Sequence, residues 1–119
     1  MPAQNDALKD RLSRYREITI TVTGRKSGRA ISVPIWFVWE GGKVYLLPVK
    51  GSDTQWYKNV LNNSSMQIEA GGEKAAFQAV PITAKTEVSS VIEKFRAKYA
   101  GDVKKYYSKF DVAVVVPIG

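Results

Sequence analysis

The chain has 119 residues, of which 45 % are hydrophobic and 24 % charged, values that are ordinary for a single soluble globular domain spanning residues 1–119. It contains no cysteine and no histidine, which excludes disulfides and Ser-His-Asp or Cys-His catalysis. Carboxylates are then the only strong metal ligands in the sequence, which argues against any metal site of the zinc or copper type. Eighteen Lys and Arg against eleven Asp and Glu give a net charge of +7, so phosphates, anionic cofactors, nucleic acids and acidic lipid surfaces are the natural partners.

The N-terminal residues predict an amphipathic helix over residues 5–16, without the apolar core of a signal peptide. This helix would cap one end of a barrel, and its dense cationic face raises the hypothesis of a peripheral contact with acidic membranes. No later segment approaches the roughly 18 uninterrupted apolar residues of a membrane span. We therefore expect a cytoplasmic protein.

Two strands joined by a basic loop come next. Residues 18–22 alternate β-branched apolar residues with threonine, which predicts a half-buried strand. Residues 31–39 carry an apolar residue at every odd position and predict a long strand, with Pro34 confined to an edge or a bulge. Trp36 and Trp39 point to opposite faces of this strand, so at most one faces the core and the other lines a pocket or a dimer interface.

Two hairpins are marked by paired glycines. Residues 40–43 supply a tight turn because glycine accepts positive φ without strain, and residues 44–49 return as a strand. The second turn, at residues 71–72, joins a strand over residues 66–70 to one over residues 74–83.

Helical patterns occupy the rest of the chain. Ser52 and Gln55 form the pattern of a capping box, which predicts a helix ending near residues 62–63. A second helix begins near Thr86 and is stopped by Gly101; its apolar stripe consists of Val88, Val91, Ile92, Phe95 and Tyr99. Alternating apolar residues over 112–118 mark a terminal strand.

About six mostly antiparallel strands and about three helices are therefore expected. Tight turns favour an antiparallel sheet curled into a small barrel, because closure removes exposed edges and helices can plug the open ends. The expected fold class is mainly β, with helical additions (α+β).

The loop between the first two strands is a candidate anion site. Arg25, Lys26 and Arg29 surround Ser27, and the flanking glycines can turn backbone N–H groups toward a common point. Arginine offers a planar fork for phosphate oxygens, lysine a compact charge and serine a further donor. The alternative is a solvated hairpin turn that is merely basic, since the loop is neither a P-loop nor a dinucleotide fingerprint.

The stretch TGRKSGRAISVPIWFVWEGGKVYLLPVKGSDTQWYKNVLNN resembles the deazaflavin-dependent nitroreductase family. The shared order is the basic run, a strand, a glycine hairpin, a Lys-Gly pair and a Trp-Tyr-x-Asn helix, and it covers about residues 18–83. The resemblance implies a split β-barrel, usually dimeric, that binds coenzyme F420, with FMN as the alternative, and passes its hydride to an organic acceptor.

The resemblance also implies roles for individual residues. Those that would hold the coenzyme's phosphate and acidic tail are Arg25, Lys26, Ser27, Arg29 and Lys50. Those that would lie beside its ring system or support the pocket are Pro34, Ile35, Trp36, Val49, Trp56 and Asn59.

Hydride transfer needs mainly positioning, exclusion of water and a proton donor, and tyrosines are the best donors in this chain. Tyr106 and Tyr107 are the preferred catalytic candidates, with Tyr99 as a third. Each also has a structural interpretation: Tyr99 completes the apolar stripe of its helix, and the adjacent pair can cover a barrel end.

Two other functions fit the same pattern. A barrel of this kind could hold flavin, deazaflavin or a lipid-like molecule without turning it over. A basic barrel bearing Trp and Tyr could also bind single-stranded nucleic acid, but the cations cluster at the first helix and one loop instead of forming a stripe along the strands. We therefore expect a small-molecule acceptor and no nucleic acid.

Overall fold

A computed structural model describes residues 6–118, and within them seven antiparallel strands form one sheet in the order β5-β4-β1-β2-β3-β7-β6. The strands are β1 (Glu17–Thr23), β2 (Ala30–Glu40), β3 (Lys43–Leu46), β4 (Ser65–Ala70), β5 (Glu73–Gln78), β6 (Val80–Ile82) and β7 (Ala113–Pro117). The helices are α1 (Asp6–Leu12), α2 (Gln55–Asn62), α3 (Lys85–Tyr99) and α4 (Asp102–Tyr106), with a short 3₁₀ turn at Gly51–Asp53. The mainly β, split-barrel architecture expected from the sequence is confirmed.

The sheet curls because one stretch of chain serves both of its ends. β5 pairs with β4 and β6 pairs with β7, although only Ala79 separates β5 from β6. The buried Ala79 donates its backbone N–H to the carbonyl of Ser64 at 2.8 Å, one position beyond the last β4–β5 pair, and β6 begins at the next residue. The single strand predicted over residues 74–83 is therefore wrong: the chain bends at Ala79 and contributes two strands to opposite ends of the sheet.

Strand β2 changes partners halfway along. Its residues 30–36 pair with β1, while Phe37 to Glu40 pair with β3. Among the described strands, residues 30–36 have a neighbour on one side only, and Pro34 lies in this half opposite Thr19. The edge position predicted for Pro34 is confirmed.

Two hydrophobic cores lie on the two faces of the sheet. The core inside the barrel contains Ile20, Phe37 and Ile68. Leu8 and Leu12 of α1 close this core, in agreement with the prediction that the first helix caps one end of the barrel. The second core lies under α3, where Val91 and Phe95 pack with Val38 and Leu47. Trp39 packs against the barrel core, and Trp36 packs on the α3 side, as their positions on opposite faces predict.

Both glycine hairpins form as predicted. Gly41 and Gly42 have φ of 59° and 76°, and the corresponding angles of Gly71 and Gly72 are 55° and 85°. These positive values are the ones that two-residue hairpin turns require.

Three expected helix boundaries differ from the structure. The first helix ends at Leu12 instead of residue 16, and its expected start at residue 5 lies outside the described residues. Ser52 does not cap α2: its hydroxyl donates to Asp111, and the residue before the helix is Thr54, which makes no side-chain cap bond. The positive φ after α3 occurs at Ala100, at 53°, while Gly101 precedes α4.

Candidate functional site

An apolar groove of about 410 Å³ lies along the half of β2 that has one strand neighbour. Residues from both faces of the strand reach it because it lies at the strand's open edge. Its lining consists of Glu17, Val33, Pro34, Ile35, Trp36, Val49, Thr54, Trp56, Tyr106 and Tyr107. A mostly apolar cleft of this volume, with a few polar groups, is typical of a small-molecule site.

Trp36 organises one end of the groove. Its ring stacks on that of Tyr99, with centroids 4.5 Å apart and planes 6° from parallel. Tyr106 meets it nearly perpendicularly at 5.6 Å, and Tyr107 lies at 6.1 Å with a tilt of 44°. The three candidate tyrosines therefore surround one tryptophan, although they come from the end of α3, from α4 and from the residue after it.

Tyr99 is part of the structural support of this end. Its ring is 2 % exposed and does not line the groove, and its hydroxyl lies 2.6 Å from the carbonyl oxygen of Arg16. Burial raises the pKa of Tyr99; the hydrogen bond with Phe37 and the charge of Arg16 oppose the shift, and the carboxylate of Glu17 adds to it. A hydroxyl held in this way is not free to reach a ligand.

Tyr106 and Tyr107 both line the groove, but in different surroundings. The side chain of Tyr107 is 5 % exposed, and burial, with a smaller effect of Tyr99, raises its pKa above the ordinary 10.0. Its phenol therefore stays protonated near neutral pH and remains a hydrogen-bond donor. Tyr106 is 54 % exposed, and the ammonium of Lys105 lies 5.4 Å from the centre of its ring.

The other end of the groove meets the start of α2. Val49, Thr54 and Trp56 line it there, and Val49 is 40 % exposed. The backbone N–H of Lys50 donates to the hydroxyl of Thr54 at 2.8 Å, which fixes Lys50 beside this end. Trp56 also belongs to the barrel core, so it anchors the helix and forms part of the groove wall.

Arg25 joins the basic loop to the same helix. Its guanidinium donates to the side-chain oxygens of Asn59 and Gln55, each at 2.8 Å, and its backbone N–H donates to Asn59 at 3.1 Å. Asn59 is 4 % exposed and accepts both bonds through one oxygen. Arg25 and Asn59 therefore fix the loop on α2, and that oxygen of Asn59 is already occupied.

The loop backbone is largely bonded to itself. The N–H of Gly24 donates to the Arg29 carbonyl at 2.8 Å, that of Gly28 to the Gly24 carbonyl at 2.8 Å, and that of Arg29 to the Ser27 hydroxyl at 3.2 Å. The expected cluster of free backbone donors is therefore smaller than the sequence suggested. Within the described residues, the exposed side chains of Lys26 and Arg29 form no salt bridge, and neither does Lys50.

The structure thus gathers the predicted residues into two adjacent sets. Seven of them line the groove: Pro34, Ile35, Trp36, Val49, Trp56, Tyr106 and Tyr107. The rest lie behind it or beside its α2 end, namely Tyr99, Asn59, Arg25, Lys26, Ser27, Arg29 and Lys50.

Sequence reasoning missed three residues that line the groove, Glu17, Val33 and Thr54. Register alone could have found Glu17, because it lies opposite Trp36 in the β1–β2 pair. Within residues 6–118, no three or more carboxylates are arranged to hold a metal ion, and no helix is long and apolar enough to cross a membrane.

One family model covers most of the chain. Residues 9–113 match the model of a family described as "Uncharacterized protein conserved in bacteria" (DUF2255). No curated protein matches the sequence.

Solved structures with the same fold include a reductase, a domain-swapped dimer and a heme storage protein. An F420-H2 dependent reductase (FDR-A) has a TM-score of 0.67 at 22 % identity, over 85 % of this chain and 93 % of that one. A domain-swapped dimer has a TM-score of 0.68 at 20 % identity, over 96 % and 99 %. HutZ, the heme storage protein from Vibrio cholerae, has a TM-score of 0.72 at 13 % identity, over 100 % and 92 %.

Proposed function

We propose that this chain, which belongs to the DUF2255 family, binds coenzyme F420. It transfers a hydride from the reduced coenzyme to a small organic acceptor, such as a quinone or a nitro or enone compound. One observation carries the proposal. An aromatic groove ends at the start of α2, where the basic loop and Lys50 are fixed. A ligand with a flat ring system and an anionic tail matches this arrangement.

The residues fit such a coenzyme in shape and in charge. The groove offers two tryptophans and two tyrosines to a flat ring system, and its volume of about 410 Å³ falls in the range of small-molecule sites. Lys26, Arg29 and Lys50 carry charges that no described carboxylate neutralises, so they are available to phosphate and carboxylate groups.

When bound, the reduced deazaflavin supplies the hydride, and the chain supplies position and surroundings. Trp36, fixed from behind by Tyr99, gives the ring system a rigid wall, and the apolar lining removes water from the space beside it. Tyr107 stays protonated and can donate a hydrogen bond to an acceptor as negative charge builds on it. Tyr106, on the exposed side, can close over the acceptor.

Binding is tested by titrating the protein with F420, FMN and FAD in parallel and following tryptophan fluorescence, because Trp36 and Trp56 both line the groove. We expect F420 to bind most tightly, and Lys26→Glu to weaken it by about 1–3 kcal/mol. Lys74→Glu changes the net charge equally on β5, at the far end of the sheet order, and should leave affinity unchanged. Equal effects of the two variants would contradict direct contact at the loop.

Binding without turnover is the second candidate, and the likeness to a heme storage protein on the same fold favours considering it. A heme in this chain would need tyrosine or methionine as its axial ligand, since the sequence contains neither histidine nor cysteine. Oxidation of reduced F420 by quinones and nitro compounds separates the two functions. If F420 binds but no acceptor accelerates its oxidation above the buffer control, the protein is a carrier.

We also propose that the protein is a homodimer, as one similar structure is a domain-swapped dimer. Exposed apolar side chains near the open half of β2 support this proposal, with Ile31 and Val49 both 40 % exposed. Light scattering after gel filtration should give twice the mass of 13.2 kDa, and a monomer at all concentrations would exclude the dimer.

A further inference from the structure

Glu17 occupies a distinctive position in the groove. It lies opposite Trp36 in the β1–β2 pair, and residues directly opposite each other project from the same face of a sheet. It lines the groove with Trp36, Tyr106 and Tyr107, and its charge acts on the buried hydroxyl of Tyr99. The carboxylate therefore lies at the end of the groove that Trp36, Tyr106 and Tyr107 form, which we call the aromatic end.

Glu17 is also the only charged residue among those that line the groove. Within the described residues, Glu17 forms no salt bridge. Three cationic side chains that do not line the groove lie around its aromatic end. Arg16 lies over Tyr99 at 5.0 Å, Lys98 lies 5.2 Å from the same ring, and Lys105 lies over Tyr106 at 5.4 Å. Glu17 itself is exposed, so the negative charge lies on the solvent-facing side of the groove lining, with the positive charges around it.

We propose that Glu17 sets the charge class of the acceptor, by admitting uncharged acceptors to the aromatic end of the groove and rejecting those that carry a carboxylate or sulfonate. This inference rests on the proposed function of the groove and names the substrate class of that site. A protein with a net charge of +7 attracts anions in general, so rejection of anionic acceptors needs a local negative charge where the acceptor binds.

The same arrangement orients the coenzyme. An anionic tail is attracted by Lys26, Arg29 and Lys50 at the α2 end and repelled by Glu17 at the aromatic end. The two ends of the site therefore favour one direction of binding, with the uncharged ring beside Trp36.

The test uses a matched pair of nitroaromatic probes, 4-nitrobenzamide and 4-nitrobenzoate, which have nearly the same shape and differ in charge. Both quench tryptophan fluorescence, so their dissociation constants are measured directly, with and without saturating F420. For the natural chain we expect the benzamide to bind more tightly. Glu17→Gln should lower the ratio of the benzoate constant to the benzamide constant by about three- to tenfold, mainly through tighter binding of the benzoate.

Glu87→Gln is the matched control. Glu87 is exposed on the first turn of α3, twelve residues before Tyr99, which places it about 18 Å along the helix axis from the aromatic end. It should leave the ratio unchanged. If Glu17→Gln also leaves the ratio of the two dissociation constants unchanged, the inference is wrong. It is also wrong if neither probe binds, with or without F420. Failure of the proposed function is seen separately, as absence of F420 binding to the natural chain.

Discussion

The hydroxyl of Tyr99 lies between the backbone N–H and the carbonyl of Phe37, accepting the first at 3.1 Å and lying 2.8 Å from the second. Phe37 is the residue at which β2 leaves β1 and begins to pair with β3. Since the same hydroxyl also reaches the Arg16 carbonyl, it takes the place of the next rung of the β1–β2 ladder. The Tyr99 hydroxyl thus joins the start of β1 to β2, while its ring supports Trp36.

Removing this hydroxyl should cost stability. Tyr99→Phe keeps the ring stack but leaves the buried Phe37 amide without its acceptor, so we expect a loss of about 1–3 kcal/mol in the free energy of unfolding, measured by urea denaturation. Tyr106→Phe, at a side chain that is 54 % exposed, should change stability by no more than about 0.5 kcal/mol. Equal losses would mean that the Tyr99 hydroxyl is not a structural bridge.

Among the cations of the basic loop, Arg25 should stabilise the fold, whereas Lys26 and Arg29 should bind the ligand. Asn59→Ala removes the acceptor of the Arg25 amide and guanidinium, and should lower stability by about 1–3 kcal/mol. Lys26→Ala and Arg29→Ala, at exposed side chains, should each stay within about 0.5 kcal/mol of the natural chain yet weaken F420 binding. Thermal unfolding and fluorescence titration of the same samples measure both effects, and a destabilised Lys26→Ala would contradict this division.

Two glycines with similar backbone angles should respond differently to alanine. Gly51 and Gly28 have φ of 55° and 71°, so alanine is strained at both, at about 1 kcal/mol or more. An added Cβ at Gly51 would also collide with the Asp111 carboxylate that accepts from the Ser52 amide, whereas at Gly28 it meets nothing within 4 Å. Gly51→Ala should therefore lose clearly more stability than Gly28→Ala in chemical denaturation, and the reverse order would be inconsistent with this packing.

The sequence predicted those features that depend on local patterns. Alternation placed β1 and β2, paired glycines placed both hairpins, and the helical stripe placed α3. The bend at Ala79 was not predictable in this way, because the sequence of residues 74–83 reads as one strand and only the closing of the sheet divides it. Ser52 was misassigned for a similar reason: its partner, Asp111, is 59 positions away.

The residue types of the candidate site were easier to predict than the contacts that these residues make. The resemblance to the deazaflavin-dependent nitroreductases implied Pro34, Ile35, Trp36 and the tyrosine pair, and these residues line one groove, while their roles toward a ligand stay predictions. The contacts of Arg25 were not predicted, since its guanidinium donates to the side chains of Gln55 and Asn59 on α2. Such a choice between internal and external partners depends on tertiary packing, which places α2 beside the loop.

Lys98 should make stability depend on pH. Desolvation on burial, together with the charge of Arg16, lowers the pKa of Lys98 from 10.5 to about 8, while its Nζ donates to the Phe37 carbonyl at 2.8 Å. Between about pH 8 and 10.5 the unfolded chain therefore holds a proton that the folded chain has lost, so the free energy of unfolding rises with pH in this window. Below pH 8 both states are protonated and the full cost of the buried charge is present.

This rise is best measured from about pH 7.5 to 9.5, because the raised pKa values of Tyr57, Tyr99 and Tyr107 make stability fall with pH above 10.0. Urea midpoints followed by tryptophan fluorescence should increase across this range for the natural chain and for Lys74→Met, an exposed control on β5. Lys98→Met removes the titrating group and should give a flatter curve. Parallel curves for Lys98→Met and the natural chain would show that Lys98 carries its charge in the folded state at no cost, in conflict with the pKa that burial and the charge of Arg16 lower.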